Sequence, residues 1–272
     1  MSKSFSRPLY GALCLFPFCF LASLSFGYWT DNYGWSPDQP VVMQLELGPT
    51  NVVLQDGSAS WNASAANALA LWNQHLEVIQ VQSVLNSGAT KMSHDGYNSV
   101  FFASDVFGED FGEDTLAITV SLLHEGSVTE ADVIVNQAYQ FNSYRGLLQD
   151  GVYDIHRVLL HEFGHVLGLG HPDDNGMDVV AIMNSVISDL DHLAADDIAG
   201  AEYLYGIKFL PEVVSCTVGQ PIRYTASTNV PAISFEASGL PADLKLDSKS
   251  GTISGAIAVS GIYQAPRVTV MG

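Results

Sequence analysis

The sequence predicts an α+β protein in two parts: a mixed helix-and-strand unit to about residue 207, then a small all-β unit. Three observations predict it. Apolar strand patterns are interspersed with helical ones up to Tyr205, and Gly206 stops the last helix. From Phe209 onward the helical period disappears, and short β-prone runs are broken by Pro and Gly. With 272 residues, 47% hydrophobic and 14% charged, the chain suits one sizeable globular domain plus a smaller one and is not disordered.

The first element is a leader over residues 1–27. Lys3 and Arg7 precede an apolar run from Leu9 to Phe26 that ends in small residues before Tyr28, as a secretory signal does. An uncleaved anchor is the alternative reading, because the run is nearly long enough to span a bilayer. The expected location is therefore secreted or extracytoplasmic, the cell surface included. Cleavage would remove Cys14 and Cys19, leaving Cys216 alone and no internal disulfide. It would also take the formal net charge from −19 to −21. That acidity argues against nucleic acid or anionic lipid as a partner.

Residues 28–207 form the larger predicted domain. Thr30–Pro40 reads as an N-terminal arm and Val41–Leu47 as a strand. Trp61–Leu76 places Leu69, Trp72 and Leu76 at helical spacing. Val78–Val84, Ser99–Ala103, Thr115–Leu123 and Asp132–Asn136 read as strands. Asp154 is placed to N-cap a helix carrying His161 and His165. Ala195–Tyr205 is the last helix, with Asp196 and Asp197 in its first turn, where the helix dipole favours acids.

The chemistry concentrates in HEFGHVLGLGH at 161–171. His161 and His165 lie four apart, so both imidazoles project from one helical face toward a single metal ion. Glu162 points beside the first ligand. Gly168 can take a positive φ at the helix end and turn the chain so that His171 becomes the third ligand. Three neutral histidines leave a fourth position open, as in a catalytic zinc site.

Met183 follows His171 by twelve residues, and the whole set resembles the metzincin zinc peptidases. DDIAGAEYLYG (196–206) resembles the closing helix of the matrixin branch. ALALWNQHL and TEADVIVN are similar to segments of matrixin-like bacterial proteins. The resemblance spans about residues 41–206. It implies a metzincin-type domain with a twisted, mainly parallel sheet, an active-site helix, a Met-turn and a C-terminal helix. It further implies one catalytic zinc on His161, His165 and His171, with Glu162 as general base. Met183 would form an apolar floor beneath the metal without binding it. Gly168, Asp196 and Asp197 would be structural supports, the acid pair bracing the Met-turn and the domain's N-terminus. The strand near Leu116–Leu123 would be the edge on which a substrate peptide lies.

The departures from that pattern are as informative. Ser185 stands where some metzincins carry an extra tyrosine ligand. About a dozen residues separate the leader from the first strand, so a propeptide cysteine switch is not expected. His94-Asp95 and His124 do not reproduce a second, structural zinc site. Val186–Leu193 would shape the side-chain pocket, where Ile187, Leu190 and Leu193 suggest an apolar preference.

Other features carry less. The acidic run Asp105, Glu109, Asp110, Glu113 and Asp114 reads equally as a Ca2+ site and as a solvated loop. Asp173-Asp174-Asn175-Gly176 is most simply a turn. His75, His94, His124, His156 and His192 read as surface or satisfied polar residues, and Cys216 as a buried or half-buried small hydrophobe. Asn62-Ala63-Ser64 is a sequon only in a glycosylating host. Residues 208–272 form the second domain; FEASGLPADLKLDSKSGTISG (235–255) resembles Ig-like sandwich modules of bacterial surface proteins, a role that would let it engage a surface or a glycan. Two functions follow: a secreted zinc endopeptidase acting on protein or peptide substrates, or a non-catalytic zinc-binding adhesin. The intact Glu162 favours the enzyme. Oligomeric state is not readable.

Overall fold

The structure is a computed structural model that describes residues 13–15, 27–31, 33–37, 40–206, 209–210, 215–225, 227–228, 234–238, 240–258 and 267–271. The chain divides into two compact units, one of Ser25–Gly206 and one combining Met1–Leu24 with Ile207–Gly272. Most of the expected leader lies outside the described residues, as does the side chain of Cys216. No helix among the described residues is long and apolar enough to cross a membrane. Leu13–Leu15 forms β1, antiparallel to a strand at Ser215–Thr217 in the same unit.

The larger unit is built on a five-stranded sheet. Its elements are β2 (Trp29–Thr30), β3 (Val41–Leu45), α1 (Trp61–Asn73), β4 (Val81–Leu85), β5 (Asn98–Ala103), β6 (Ala117–His124) and β7 (Ser127–Asn136). There follow β8 (Phe141–Asn142), β9 (Tyr153–Asp154), α2 (Ile155–Leu167), β10 (Leu169–Gly170) and α3 (Ala195–Tyr205). The sheet order is β4-β3-β5-β7-β6, parallel throughout except for β6, which runs antiparallel to β7 and forms an edge. Buried side chains of β3, β5 and β7 pack against α1 and α2 in one core that includes Met43, Leu45, Val100, Val133, Trp72 and Leu159. Trp72 is fully buried and its Nε1 donates to the Leu160 carbonyl at 2.9 Å, which locks α1 to α2 without stranding the indole N–H.

α1 stops three residues before the sequence period does. The Asn73 amide donates to Val81 O (2.7 Å) and accepts from Val81 N (2.9 Å), so it clamps the start of β4 instead of continuing the helix. Asn62 is 1% exposed, accepting from Leu47 N and donating to Asn86; its burial closes the sequon reading.

The carbonyls left unpaired at the end of α2 are collected by distant residues. Trp35 Nε1 donates to Val166 O (2.7 Å), Tyr205 Oη to Leu167 O (2.6 Å) and Asp31 N to Gly168 O (3.1 Å). β2 then pairs antiparallel with β10, immediately before His171. In this way the N-terminal arm holds the turn that delivers the third histidine.

The second unit contains β11 (Phe209–Leu210), β12 (Ser215–Thr217), β13 (Ile222–Thr225), β14 (Ser227–Thr228), β15 (Ser234–Ser238), β16 (Leu244–Asp247), β17 (Thr252–Gly255) and β18 (Arg267–Met271). β13-β17-β16 form an antiparallel sheet, while β15 pairs with β18 and β11 with β14. Its small core holds Leu244, Ile253 and Ile257, flanked by Val218, Ile222, Leu240 and Leu246. Among the described residues it is all-β.

Candidate active site

α2 begins at Asp154, whose side chain accepts from His156 N, and ends at Gly168, which has φ 95°. A side chain at Gly168 would be strained by that φ and would also collide with the Tyr33 carbonyl. The left-handed cap turns the chain through β10 and returns His171 beside His161 and His165.

The three Nε2 atoms converge. His165 Nε2 lies 3.0 Å from both His161 Nε2 and His171 Nε2, and the last two are 3.2 Å apart. Each Nδ1 faces an acceptor: Ile182 O at 2.8 Å for His161, Leu169 O at 2.7 Å for His165 and Asp174 Oδ2 at 2.9 Å for His171. With Nδ1 protonated on each ring, three Nε2 lone pairs point at one another. Such an arrangement is repulsive unless a cation lies between them. Zn–N bonds of about 2.0–2.1 Å in a tetrahedron put neighbouring nitrogens roughly 3.3 Å apart, close to the separations here. Burial and then the neighbouring imidazoles pull His161 down to about 3 and His165 to about 4, which keeps both neutral and ready to coordinate. Among the described residues this is the one group of three or more His, Cys, Asp or Glu side chains close enough to share a metal ion.

Glu162 is 5% exposed, and burial pushes its carboxyl up to about 7 against the lowering effect of a hydrogen bond from Thr119. Thr119 Oγ1 lies 2.7 Å from Glu162 Oε2 and 3.1 Å from Glu162 O. A carboxylate poised near neutral pH can both take and return a proton.

Met183 packs beneath the helix against Gly164, where a Cβ would overlap its sulfur. That glycine of the HEFGH segment therefore serves packing. The Met-turn backbone is held by Asp197, 1% exposed, which accepts from Ile182 N (2.9 Å), Met183 N (3.1 Å) and Ala194 N (2.7 Å). Burial raises its carboxyl to about 6 against those three donors. Asp196 accepts from Gly27 N at 2.7 Å and so ties the domain's first described residue to α3. Asp173 accepts from Ser185 N (2.9 Å) and Ser185 Oγ (2.7 Å), fastening the turn after His171 to the segment after Met183.

The loop expected to shape the side-chain pocket is braced from behind. Ile187, Leu190 and Leu193 pack half-buried on the core. Buried Arg157 donates to Ser188 O (2.8 Å) and Gly146 O (2.5 Å), while Asp191 and Asp189 accept from Gly146 N and Leu148 N. His156 is buried away from the triad, bound to Arg145 and, at 2.9 Å, to Asn67. Thr119 and Gly164 escaped the sequence reading. Thr119 lies 43 residues from Glu162 with no motif around it; Gly164 stands at a position that the HExxH pattern leaves open.

The sequence matches the matrixin family over residues 54–206. That stretch is more than half of the chain, and the protein belongs to the matrixin family. Its members use zinc, and the converging histidines are compatible with that metal. A comparison with curated proteins finds no match.

Proposed function

We propose that the protein is an exported zinc-dependent endopeptidase that hydrolyses peptide bonds of extracellular proteins. Family membership supports a zinc metallopeptidase. The observation that carries the reading is the convergence of three Nε2 atoms to within 3.0–3.2 Å of one another, each ring having an acceptor beside its Nδ1. His161, His165 and His171 would hold the metal, which when bound makes water nucleophilic near neutral pH and polarises a carbonyl.

The chain's own groups supply the rest. Glu162, buried and pushed to about 7, takes the proton from the attacking water and passes it to the departing amine. β6 is an edge of the sheet, so a peptide can add to it as a further strand with its scissile bond toward the histidines. Ile187, Leu190 and Leu193 support a preference for apolar side chains next to the cleaved bond. Export is supported by Lys3, Arg7 and the apolar run of the leader. The C-terminal all-β unit would serve as an Ig-like surface- or glycan-binding appendage, supported by its antiparallel pairing and by the run at 235–255.

The test is casein hydrolysis with and without a zinc chelator, alongside Glu162→Ala. The expected result is chelator-sensitive cleavage by the native protein and none by the variant, which keeps its zinc. Cleavage that survives both perturbations would overturn the assignment.

A further inference from the structure

We propose that Thr119 is a positioning residue for the general base: its hydroxyl, presented from edge strand β6, sets the direction in which the Glu162 carboxylate faces the cleft. The inference rests on the reading of the chain as a zinc endopeptidase.

Four observations carry it. The hydroxyl has one proton and two acceptors within reach, Glu162 Oε2 at 2.7 Å and Glu162 O at 3.1 Å. The shorter contact, to a group that becomes charged, is the stronger hydrogen bond. Next, the last torsion of a glutamate is soft and has no sharp minimum of its own, so a buried carboxylate takes its orientation from its donors. Thr119 is the one hydrogen-bond donor to that carboxylate among the described residues. It fixes Oε2 and leaves Oε1 as the oxygen for proton traffic.

The donor is itself held rigidly. Threonine is β-branched and stiff at χ1, and residue 119 stands opposite Val133 of the central strand β7. Val133 is fully buried, so the hydroxyl is carried on the sheet core and not on a loop. Last, β6 is also the strand whose free edge would receive a peptide. One strand thus serves both substrate and base, and Thr119 joins the two across 43 residues of chain.

The experiment compares Thr119→Val, which keeps the branched shape and removes the hydroxyl, with Thr119→Ser, which restores it. Each variant is the full chain loaded with zinc. Steady-state hydrolysis of a peptide substrate gives kcat and KM separately, and zinc stoichiometry and affinity are measured independently of activity. For Thr119→Val, kcat is expected to fall about 10–100-fold, the usual cost of losing an orienting partner. KM and zinc affinity should stay within about threefold of the native values, and Thr119→Ser should bring kcat back to within about threefold. Thr119→Ala, which removes the hydroxyl without placing a methyl against the carboxylate, carries the same expectation as Val.

Three results would overturn the inference. They are native kcat in both hydroxyl-free variants, loss of zinc in step with loss of activity, or a serine variant as slow as the valine one. A native protein that hydrolyses nothing when loaded with zinc overturns the endopeptidase reading and this inference with it. An active native protein matched by both Thr119→Val and Thr119→Ala overturns this inference alone.

Discussion

Replacing Asp197 by alanine should loosen the Met-turn and lower the stability of the larger unit by an amount that the structure allows to be worked out. Three backbone N–H groups donate to this one carboxylate, those of Ile182 and Met183 buried and that of Ala194 half-buried. Alanine leaves all three without a partner, at about 1–3 kcal/mol each, or roughly 6 kcal/mol in total. Part of that is recovered. Burial holds the Asp197 carboxyl at about 6, above its ordinary 3.8, so the ionised group already carries a desolvation cost. Two pKa units correspond to about 3 kcal/mol. The net loss near neutral pH is then about 3 kcal/mol, or roughly 6–12 °C in melting temperature for a unit of this size.

The sign with pH follows from linkage. A carboxyl whose folded pKa is raised stabilises the native protein at low pH, and loses that contribution as pH rises from 3.8 to 6. The alanine variant has no such group, so its deficit should be larger at pH 5 than at pH 8. Tryptophan fluorescence is the assay, because Trp29, Trp35, Trp61 and Trp72 all lie in the Ser25–Gly206 unit and report its unfolding alone. An Asp197→Ala melt within about 2 °C of native at both pH values would refute the reasoning.

Other outcomes follow from neighbouring sites. Asp132 is 1% exposed, and burial pushes its carboxyl to about 7 despite the bond from Ser99 N, with Glu130 alongside. Asp132→Asn keeps an acceptor for Ser99 and never ionises, so it should match native near pH 4 and melt higher at pH 8, by about 2–4 kcal/mol in stability; a variant less stable at both pH values contradicts this. Gly164→Ala forces Met183 aside and should cost about 1–3 kcal/mol by overpacking, with Met183→Ala partly rescuing it in a double-mutant cycle. Additive losses in that cycle would show that the two residues do not compete for the same space. Chelating zinc should lower the tryptophan-reported melt, and added zinc should restore it, because the three Nε2 lone pairs repel one another without a cation. An unchanged melt would mean that the native protein carries no metal at this site.

How far the sequence could be read depended on how local each interaction is. His161, Glu162 and His165 were legible because they share one helix, whose period is known in advance. Gly168 was legible for the same reason, since a helix end followed by a reversal demands a residue tolerant of positive φ. The elements appeared in their order, but their ends did not. α1 stops at Asn73 and β4 starts at Val81 because one amide side chain clamps the strand, a contact that no periodicity encodes.

Sequence alone thus picked out the three histidines that the structure brings together, the order of helices and strands, and the change after Gly206 to a segment that is all-β among the described residues. Tertiary structure alone decided which distant groups hold that donor set in shape. Thr119 reaches Glu162 across 43 residues, and Trp35 and Tyr205 reach the carbonyls at the end of α2 across 131 and 38. The Met183–Gly164 contact has a similar origin in packing, not in motif spacing. The physical reason is the same in each case. Helix geometry repeats with a fixed period and can be computed from spacing, whereas a buried carboxylate, carbonyl or sulfur is satisfied by whichever residue the folded chain brings against it.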